Sequence, residues 1–282
     1  MRDGHVHSKY CPHGTRDTFE QYLENALKIG LKEITFTEHL PLPINFKDPS
    51  PKNDSAMKLC DIDSYINDIN NIKEKYKDVI KINLGFEVDF IEGYEEETKR
   101  IIDKYGVYFD DAIISVHMIK IDGDYHLIDY SVDEFEKLIT LLGGINNVYN
   151  KYYETVQKAL DSDLGKYKPK RIGHLNLVRK FNKVFPYDYS NNKILCELVK
   201  NIKEKNYELD YNISGKRKEH CKEAYISGDL LNLVKSYDIN MVLGSDSHCA
   251  NEILCQQNNI NLIYWYKMPL IQVQQEEINL DE

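Results

Sequence analysis

Most histidines of this chain lie in short motifs that are typical of the ends of β-strands. Seven of the nine share this setting, namely His5, His7, His13, His39, His117, His174 and His248. Glu87 and Asp246 occur in the same kind of motif. Imidazole nitrogens and carboxylate oxygens are donors that transition metals take in proteins. The pattern therefore predicts one polynuclear metal site assembled from distant parts of the chain.

Each motif alone is weak evidence, because a single strand-end histidine is more often an ordinary hydrogen-bonded residue. The pair His5 and His7 adds some weight, since alternate side chains of a strand point to the same side. The joint pattern favours metal binding, and nine donors, one of them able to bridge, suit three divalent cations. With no thiolate among the donors, Zn, Mn or Fe fits best. His126 and His220 lie outside the pattern and are interpreted as ordinary residues.

Strands and helices alternate along the chain. We predict strands at 2–7, Glu33–Thr37, Ile80–Val88, Ala112–His117, Arg171–Leu175, Tyr207–Ile213 and Met241–Ser245. Apolar residues at helical spacing predict helices between Phe19 and Gly30, at about 61–77, 93–105, 190–204 and 228–236, and two within 132–163. This alternation implies parallel βαβ units. Because polar residues end most strands, it favours a barrel over an open sheet, with the metals at the carboxyl-terminal mouth.

Two segments depart from this alternation. Pro41, Pro43, Pro49 and Pro51 crowd the connection after the second predicted strand. That connection is too rich in proline for a helix or a central strand, so we predict a loop that covers the barrel mouth as a lid. Near the end of the chain, Ile260–Tyr266 is a candidate for a further strand, followed by an exposed tail rich in Gln and Glu.

Length and charge limit the class of protein. The 282 residues contain no linker or repeat, so residues 1–282 are predicted to form one domain. A net charge of −10 disfavours nucleic acid and anionic membranes as partners. No signal peptide or long apolar run is found, and six scattered cysteines suit reduced thiols, so we expect a cytoplasmic protein. The sequence leaves homo-oligomerisation open.

The order of these motifs resembles the polymerase and histidinol phosphatase (PHP) family along nearly the whole chain. The matching motifs are His5-x-His7, Cys11-Pro12-His13, Thr37-Glu38-His39, Gly85-x-Glu87-x-Asp89, Ser115-Val116-His117, Gly173-His174-Leu175 and Ser245-Asp246-x-His248. Amidohydrolase barrels also begin with His-x-His, but their bridging ligand is usually a modified lysine, whereas Glu87 stands at the corresponding strand here.

The resemblance implies a distorted (β/α)7 barrel with a trinuclear metal site. It implies one metal held by His5, His7, Glu87 and Asp246, a second by Glu87, His117 and His174, and a third by His13, His39 and His248. Three divalent cations would exceed the charge of the two carboxylate ligands. The excess would attract an anionic substrate.

Within the family the chain most resembles stand-alone histidinol phosphatases, through residues 11–15, 37–43 and 212–218. That resemblance implies hydrolysis of L-histidinol phosphate to L-histidinol and phosphate in histidine biosynthesis, with a metal-bridging hydroxide as nucleophile. Two alternatives stay open. The chain could be a phosphoesterase of the same barrel that acts on nucleotides or oligonucleotide ends, or a non-catalytic metal-binding barrel.

Phosphate monoester hydrolysis also needs cations near the phosphoryl oxygens and a proton for the leaving alkoxide. Arg16, Arg171 and Arg217 are candidate substrate-binding cations near ligand motifs. Arg171 is similar to an arginine that contacts phosphate in the family. Lys216 and Lys218 are interpreted as surface charges.

The resemblance implies that Asp17 is the general acid, with the ligands His39 and Glu87 as further catalytic residues. Asp17 also has a structural interpretation, because Asp17-Thr18-Phe19-Glu20 is close to the capping box that begins a helix. The two roles are compatible.

Overall fold

The computed structural model describes residues 1–259, and side chains up to residue 254. Its strands are β1 (Arg2–Val6), β2 (Glu33–His39), β3 (Lys81–Asp89), β4 (Asp111–Ser115), β5 (Met118–Ile121), β6 (Asp124–Leu127), β7 (Arg171–Ile172), β8 (Glu208–Asn212) and β9 (Met241–Gly244). Its helices are α1 (Phe19–Lys28), α2 (Ile62–Tyr76), α3 (Glu95–Tyr105), α4 (Val132–Leu141), α5 (Ile145–Asp161), α6 (Lys193–Glu204) and α7 (Gly228–Ser236). The candidate strand at Ile260–Tyr266 and the tail lie outside the described residues.

Seven parallel strands form a nearly closed barrel in the order β1-β2-β3-β4-β7-β8-β9. The two end strands meet beyond β9, where Val6 and Ser247 form an isolated parallel bridge. There the backbone N–H of His7 donates to the carbonyl of Ser247 at 2.9 Å, and that of Asp246 donates to His5 at 2.7 Å. The predicted seven-stranded α/β barrel is confirmed.

The pairing register brings donors from neighbouring strands together. Strands β2 and β3 pair without interruption from Glu33↔Lys81 to His39↔Glu87, so the last residue of β2 lies beside Glu87. The register between β1 and β2 shifts between Asp3 and Val6. Such an irregularity changes the direction in which nearby side chains point, and here it lies at His5.

The helices pack their apolar faces on the outside of the barrel. In α1 the buried residues include Tyr22, Leu23 and Ala26, at helical spacing. One hydrophobic cluster extends from Val6 to Ile253. Burying a large apolar side chain is worth about 1.5–3 kcal/mol, so this cluster is the main support of the fold. Within the described residues, no helix is long and apolar enough to cross a membrane.

Helix α1 begins one residue later than the predicted capping box requires. Thr18 is the N-cap: its hydroxyl accepts from the backbone N–H of Gln21, and the Gln21 side chain accepts from the N–H of Thr18 at 2.7 Å. The prediction that Asp17 and Glu20 form this box is wrong. Thr18 has the extended backbone that an N-cap needs, with φ −77° and ψ 158°.

Two further elements differ from the sequence prediction. The antiparallel hairpin β5–β6 was not predicted. Its turn, Asp122-Gly123, has positive φ at both residues (50° and 99°), which suits the Asp-Gly turn of a two-residue hairpin. That dipeptide was the available signal. Strand β7 covers only Arg171–Ile172, because the chain leaves the sheet before His174.

Candidate metal centre

All nine predicted donors meet at the carboxyl-terminal mouth of the barrel. Glu87 is at the centre of them and is fully buried. Its Oε2 lies 3.2 Å from His5 Nε2, 3.4 Å from His7 Nε2 and 3.4 Å from His39 Nδ1. Its Oε1 lies 3.0 Å from His174 Nε2 and 3.7 Å from His117 Nε2. The two oxygens therefore face different groups of imidazoles, as a bridging carboxylate would.

Asp246 closes the other side of the centre. Its Oδ1 lies 3.2 Å from His7 Nε2, 3.7 Å from His5 Nε2 and 3.5 Å from His248 Nδ1. Its backbone is left-handed, with φ 51°. Few residues other than glycine adopt this region, although aspartate does so more readily than most. Non-glycine residues held there are concentrated at functional sites.

The outward-facing nitrogens of several imidazoles have partners of their own. His5 Nδ1 lies 2.7 Å from Asp210 Oδ2, and His117 Nδ1 lies 2.5 Å from Asp89 Oδ1. An acceptor at Nδ1 keeps the proton there and leaves the Nε2 lone pair directed into the centre. Carboxylates behind metal-binding histidines commonly orient them in this way.

Pairs of inward-facing nitrogens lie close together, each on a ring whose other nitrogen has an acceptor of its own. His5 and His7 approach to 3.2 Å at Nε2, and His13 and His248 approach to 3.1 Å at Nε2. His13 Nδ1 is 2.8 Å from the carbonyl of Asp54, which accepts a hydrogen bond from that nitrogen. Two lone pairs facing each other at this distance repel unless a cation lies between them. The residues therefore fit divalent metals.

Four groups of side chains have donor atoms close enough to share an ion. They are His7-Cys11-His39-His248, His5-His7-Glu87, His39-Asp89-His117 and Glu87-His117-His174. Cys11 and Asp89 were not predicted as ligands. His126 and His220 belong to none of these groups, which were sought among the described residues.

The electrostatics of the centre favour ionised carboxylates but act on the imidazoles in both directions. Although burial works against it, neighbouring carboxylates raise the pKa of His5 and of His7 well above its ordinary value and the pKa of His117 to about 10, so metal binding would have to displace protons from these rings. Burial alone would raise the pKa of Glu87, but the neighbouring charges of His5, His39 and His117 lower that pKa well below its ordinary value. Burial lowers the pKa of His39 well below its ordinary value, and the charge of His7 adds to this effect. Ionised carboxylates and neutral imidazoles are the forms that bind metals.

Sequence reasoning missed the buried carboxylates that support the ligands. Besides Asp210 and Asp89, Glu38 lies behind the centre, with Oε1 3.4 Å from His7 Nδ1. All three are buried. The sequence contains a signal for two of these carboxylates. Glu38 precedes the predicted ligand His39, and Asp89 follows Glu87 by two residues on the same face of β3. Together with Glu87 and Asp246, these carboxylates would balance most of the positive charge that three divalent cations would bring.

Glycines leave space for this arrangement at two strand ends. A Cβ on Gly244 would lie 2.1 Å from Asp210 Oδ1 and 2.7 Å from His5 Cβ. A Cβ on Gly173 would lie 2.0 Å from Ser115 Oγ, which donates to Glu87 at 2.5 Å. Any larger residue at either position would displace a partner of a metal ligand.

A cavity of about 370 Å³ opens above the donors. Seven donors line it: His13, His39, Glu87, His117, His174, Asp246 and His248. The proline-rich loop contributes Ser50, Lys52, Asp54 and Ser55, so its predicted position over the mouth is confirmed. The loop is anchored by Phe46, whose ring centroid lies 5.1 Å from that of Tyr94 and 4.8 Å from that of Tyr125.

The predicted arginines do not line this cavity. Arg171 is 2% exposed and donates to the carbonyl of Gly4 at 2.9 Å and to Asp111 at 2.6 Å. It lies at the first residue of β7, inside the barrel and away from the mouth, so its assignment as a phosphate contact is corrected. Arg16 is exposed and bonds to the carbonyl of Lys9.

Arg217 and Asp17 lie behind the centre. Arg217 donates to the carbonyls of Ser245 and Asp246 at 3.0 and 3.2 Å. Asp17 Oδ2 accepts from the backbone N–H of Ala250 and from the hydroxyl of Thr15, both at 2.8 Å. Each therefore supports the segment that carries the last two ligands.

Lysines take the place that the arginines were predicted to occupy. Lys52, Lys180 and Lys218 line the cavity together with seven of the predicted metal donors. The interpretation of Lys218 as a plain surface charge is therefore wrong. Its position was hidden from the sequence, because the chain between β8 and β9 folds back over the mouth.

Comparison with known proteins agrees with this architecture. The chain is 45% identical over 254 residues to the protein named Histidinol-phosphatase from Bacillus subtilis (strain 168). This alignment covers 89% of this chain and 95% of that protein. The crystal structure of hisK from Listeria monocytogenes superposes with a TM-score of 0.87 at 32% identity and covers 92% of this chain and 100% of that one.

A second crystal structure shares the fold. It is histidinol phosphate phosphatase from Lactococcus lactis subsp. lactis Il1403, complexed with Zn, L-histidinol and phosphate. The TM-score is 0.70 at 24% identity, over 95% of this chain and 94% of that one. The PHP domain matches residues 3–214, which include six of the histidine donors and Glu87. The chain therefore belongs to the PHP domain family.

Proposed function

We propose that this protein is a histidinol phosphatase, a metal-dependent enzyme that hydrolyses L-histidinol phosphate to L-histidinol and phosphate. The observation that carries the proposal is the 45% identity to the Bacillus subtilis histidinol-phosphatase over 95% of that protein. All nine predicted donors are present and meet at one place. This supports an active enzyme, because a non-catalytic barrel would not need the complete set of ligands.

Three divalent transition metals, Zn, Mn or Fe, are proposed for the centre. His5, His7, Glu87 and Asp246 would hold one, Glu87, His117 and His174 a second, and His13, His39 and His248 a third. When bound, such cations neutralise charge on the phosphoryl oxygens and lower the pKa of water, which supplies the nucleophile. The two oxygens of Glu87 face separate imidazole groups, which supports its role as the bridge.

The residues of the chain then have distinct tasks. Lys52 and Lys218 line the cavity, and their charges would attract the phosphate despite the acidic surface. We retain Asp17 as the proposed acid for the leaving alkoxide, although its carboxylate lies behind the centre and does not line the cavity. Its carboxylate is fixed near His248, because Thr15, which donates to it, also bonds to the carbonyl of His248. Arg217 would position Asp246 by holding its backbone.

The test is phosphate release by the metal-loaded protein from a panel of monoesters and one diester. We expect kcat/KM to be higher for histidinol phosphate than for nucleoside monophosphates, sugar phosphates and bis-(p-nitrophenyl) phosphate. The Glu87→Ala protein, purified in the same way, controls for a contaminating phosphatase. A preference for nucleotides or for the diester would contradict the proposal. It would favour the alternative of a phosphoesterase that acts on nucleotides or oligonucleotide ends.

A further inference from the structure

Beside the metal donors, the cavity contains an ion pair that the reaction chemistry does not require. Lys180 Nζ donates to Asp129 Oδ2 at 2.8 Å, and both side chains line the cavity. The two are partly exposed, at 21% for Lys180 and 22% for Asp129. A carboxylate next to a phosphate site is unfavourable for an anionic substrate unless that substrate also carries a positive charge.

The backbone fixes the position of this pair relative to the metals. The N–H of Ile128 donates to the carbonyl of the ligand His117 at 2.9 Å, so Asp129 follows directly after a residue bonded to that ligand. On the other side, the N–H of Leu177 donates to the carbonyl of the ligand His174 at 2.8 Å. The short helix that follows, Leu177–Phe181, carries Lys180. The pair therefore lies on the wall next to the second predicted metal.

The other carboxylates around the cavity already have tasks. Asp89 is bonded to His117 Nδ1, and Asp54 accepts from the hydroxyl of Ser50 in the proline-rich loop. Glu87 and Asp246 face the imidazoles. Asp129 has one lysine partner, and a carboxylate can accept about four hydrogen bonds. It can therefore accept from a ligand without leaving Lys180.

Asp129 is also placed to be an anion, because its Oδ2 lies 2.8 Å from the Lys180 ammonium group, and an opposite charge at this distance favours the ionised form of a carboxyl group. An ionised carboxylate next to apolar surface is a good acceptor for an ammonium group, because charge-assisted hydrogen bonds are stronger than neutral ones. Leu127 and Leu177 also line the cavity and supply that apolar surface.

We infer that Asp129 is the specificity-determining residue that binds the ammonium group of the substrate, and that Lys180 is a positioning residue which orients the Asp129 carboxylate. This inference rests on the proposed function, since it assumes an amino-alcohol phosphate as substrate. The phosphate binds at the metals and the ammonium group binds at Asp129. Phosphate esters that lack an amine do not form this contact with Asp129 and therefore have a lower kcat/KM.

The test compares two substrates that differ only in the amine. They are histidinol phosphate and 3-(imidazol-4-yl)propyl phosphate, its analogue without the amino group. We expect Asp129→Asn to lower kcat/KM for histidinol phosphate roughly 10- to 100-fold, the usual effect of one hydrogen bond to a charged group. The amine-free analogue should change by less than about threefold. The ratio of the two values cancels any difference in the fraction of folded, metal-loaded enzyme.

Two further variants separate recognition from a structural effect. Asp129→Glu keeps the charge and should keep part of the discrimination. Glu92→Gln is the matched control, because Glu92 is a half-buried carboxylate (26% exposed) paired with Lys158 at 2.7 Å, and it does not line the cavity. It should leave the ratio unchanged. Calorimetric titration with L-histidinol should show weaker binding to Asp129→Asn than to the wild-type protein.

The outcomes distinguish this inference from the proposed function. Equal losses on both substrates in Asp129→Asn, or no difference between the substrates in the wild-type protein, would overturn the ammonium role while histidinol phosphatase activity stands. Failure of the wild-type protein to hydrolyse histidinol phosphate would instead contradict the proposed function.

Discussion

At the scale of single residues, the centre depends on carboxylates of two kinds. Glu87 and Asp246 face the inward nitrogens of the imidazoles, whereas Asp210 and Asp89 hold outward nitrogens. The first kind would bind metal directly, and the second kind fixes the direction in which the ligands point. Substitutions of the first kind should therefore have larger effects on activity and metal binding than substitutions of the second kind.

Glu87→Ala should have a larger effect than the loss of any single histidine ligand, because Glu87 faces imidazoles of two groups. We expect kcat/KM to fall by more than about 100-fold, beyond the range usual for residues behind the ligands. The metal content per chain should fall as well, as measured by elemental analysis. His13→Ala is the comparison, since His13 lies at the exposed edge. Near-normal turnover of Glu87→Ala would show that it is no bridge.

Asp210→Asn tests the supporting carboxylates. Asn keeps the shape but not the charge at 2.7 Å from His5 Nδ1. We expect metal affinity to fall about 10- to 100-fold, measured by competition with a chromogenic chelator. Glu208→Gln, on the same strand at its opposite end, is the control. An affinity equal to that of the wild-type protein would mean that His5 is oriented by its packing alone.

At the scale of elements, adjacent residues at the start of α1 have different tasks. Thr18 caps the helix through Gln21, whereas Asp17 holds the segment after His248 through Ala250. The sequence prediction gave Asp17 both the helix cap and the general-acid role. Because the structure assigns the cap to Thr18, a pair of substitutions can test the two roles separately.

Thr18→Ala should lower the free energy of unfolding by about 1 kcal/mol, the usual cost of losing an N-cap, with kcat unchanged.

Asp17→Asn should leave the free energy of unfolding unchanged and lower kcat. If Asp17 is the acid, kcat for histidinol phosphate should fall roughly 10²- to 10⁴-fold. The same variant should hydrolyse p-nitrophenyl phosphate with much less impairment, because nitrophenolate leaves without a proton. Equal losses on both substrates would refute the acid role. Urea titration and steady-state kinetics measure the two effects.

At the scale of the whole molecule, the metal centre joins the strands of the barrel at one end. All its predicted donors except His13 lie in β1, β2, β3, β4, β7 and β9 or within four residues after them. The closure between β1 and β9 involves Val6 and Ser247, each adjacent to a ligand. Metal binding should therefore stabilise the barrel as well as support catalysis.

Removal of the metals should lower the melting temperature. Binding at a metal concentration 1,000 times Kd contributes about 4 kcal/mol, which for a chain of this size corresponds to a shift of roughly 8–16 °C. Calorimetry before chelation, after chelation and after reloading with Zn or Mn measures this shift. Elemental analysis should find up to three equivalents. A content below one equivalent after growth with Zn, Mn and Fe would contradict the trinuclear proposal.

The sequence by itself determined the seven-stranded α/β barrel and the nine side chains that meet at its mouth. Strand-end motifs are local, and alternation of strands and helices requires that parallel strands end at the same mouth. The Asp122-Gly123 dipeptide also indicates the turn of the β5–β6 hairpin, although the hairpin was not predicted. Only the tertiary structure decided the surroundings of the donors. It placed Arg171 inside the barrel, brought Lys180 and Asp129 to the cavity, and put Asp210 behind His5. These positions depend on packing between residues far apart in sequence, such as the 205 positions that separate His5 from Asp210, and no local pattern encodes them.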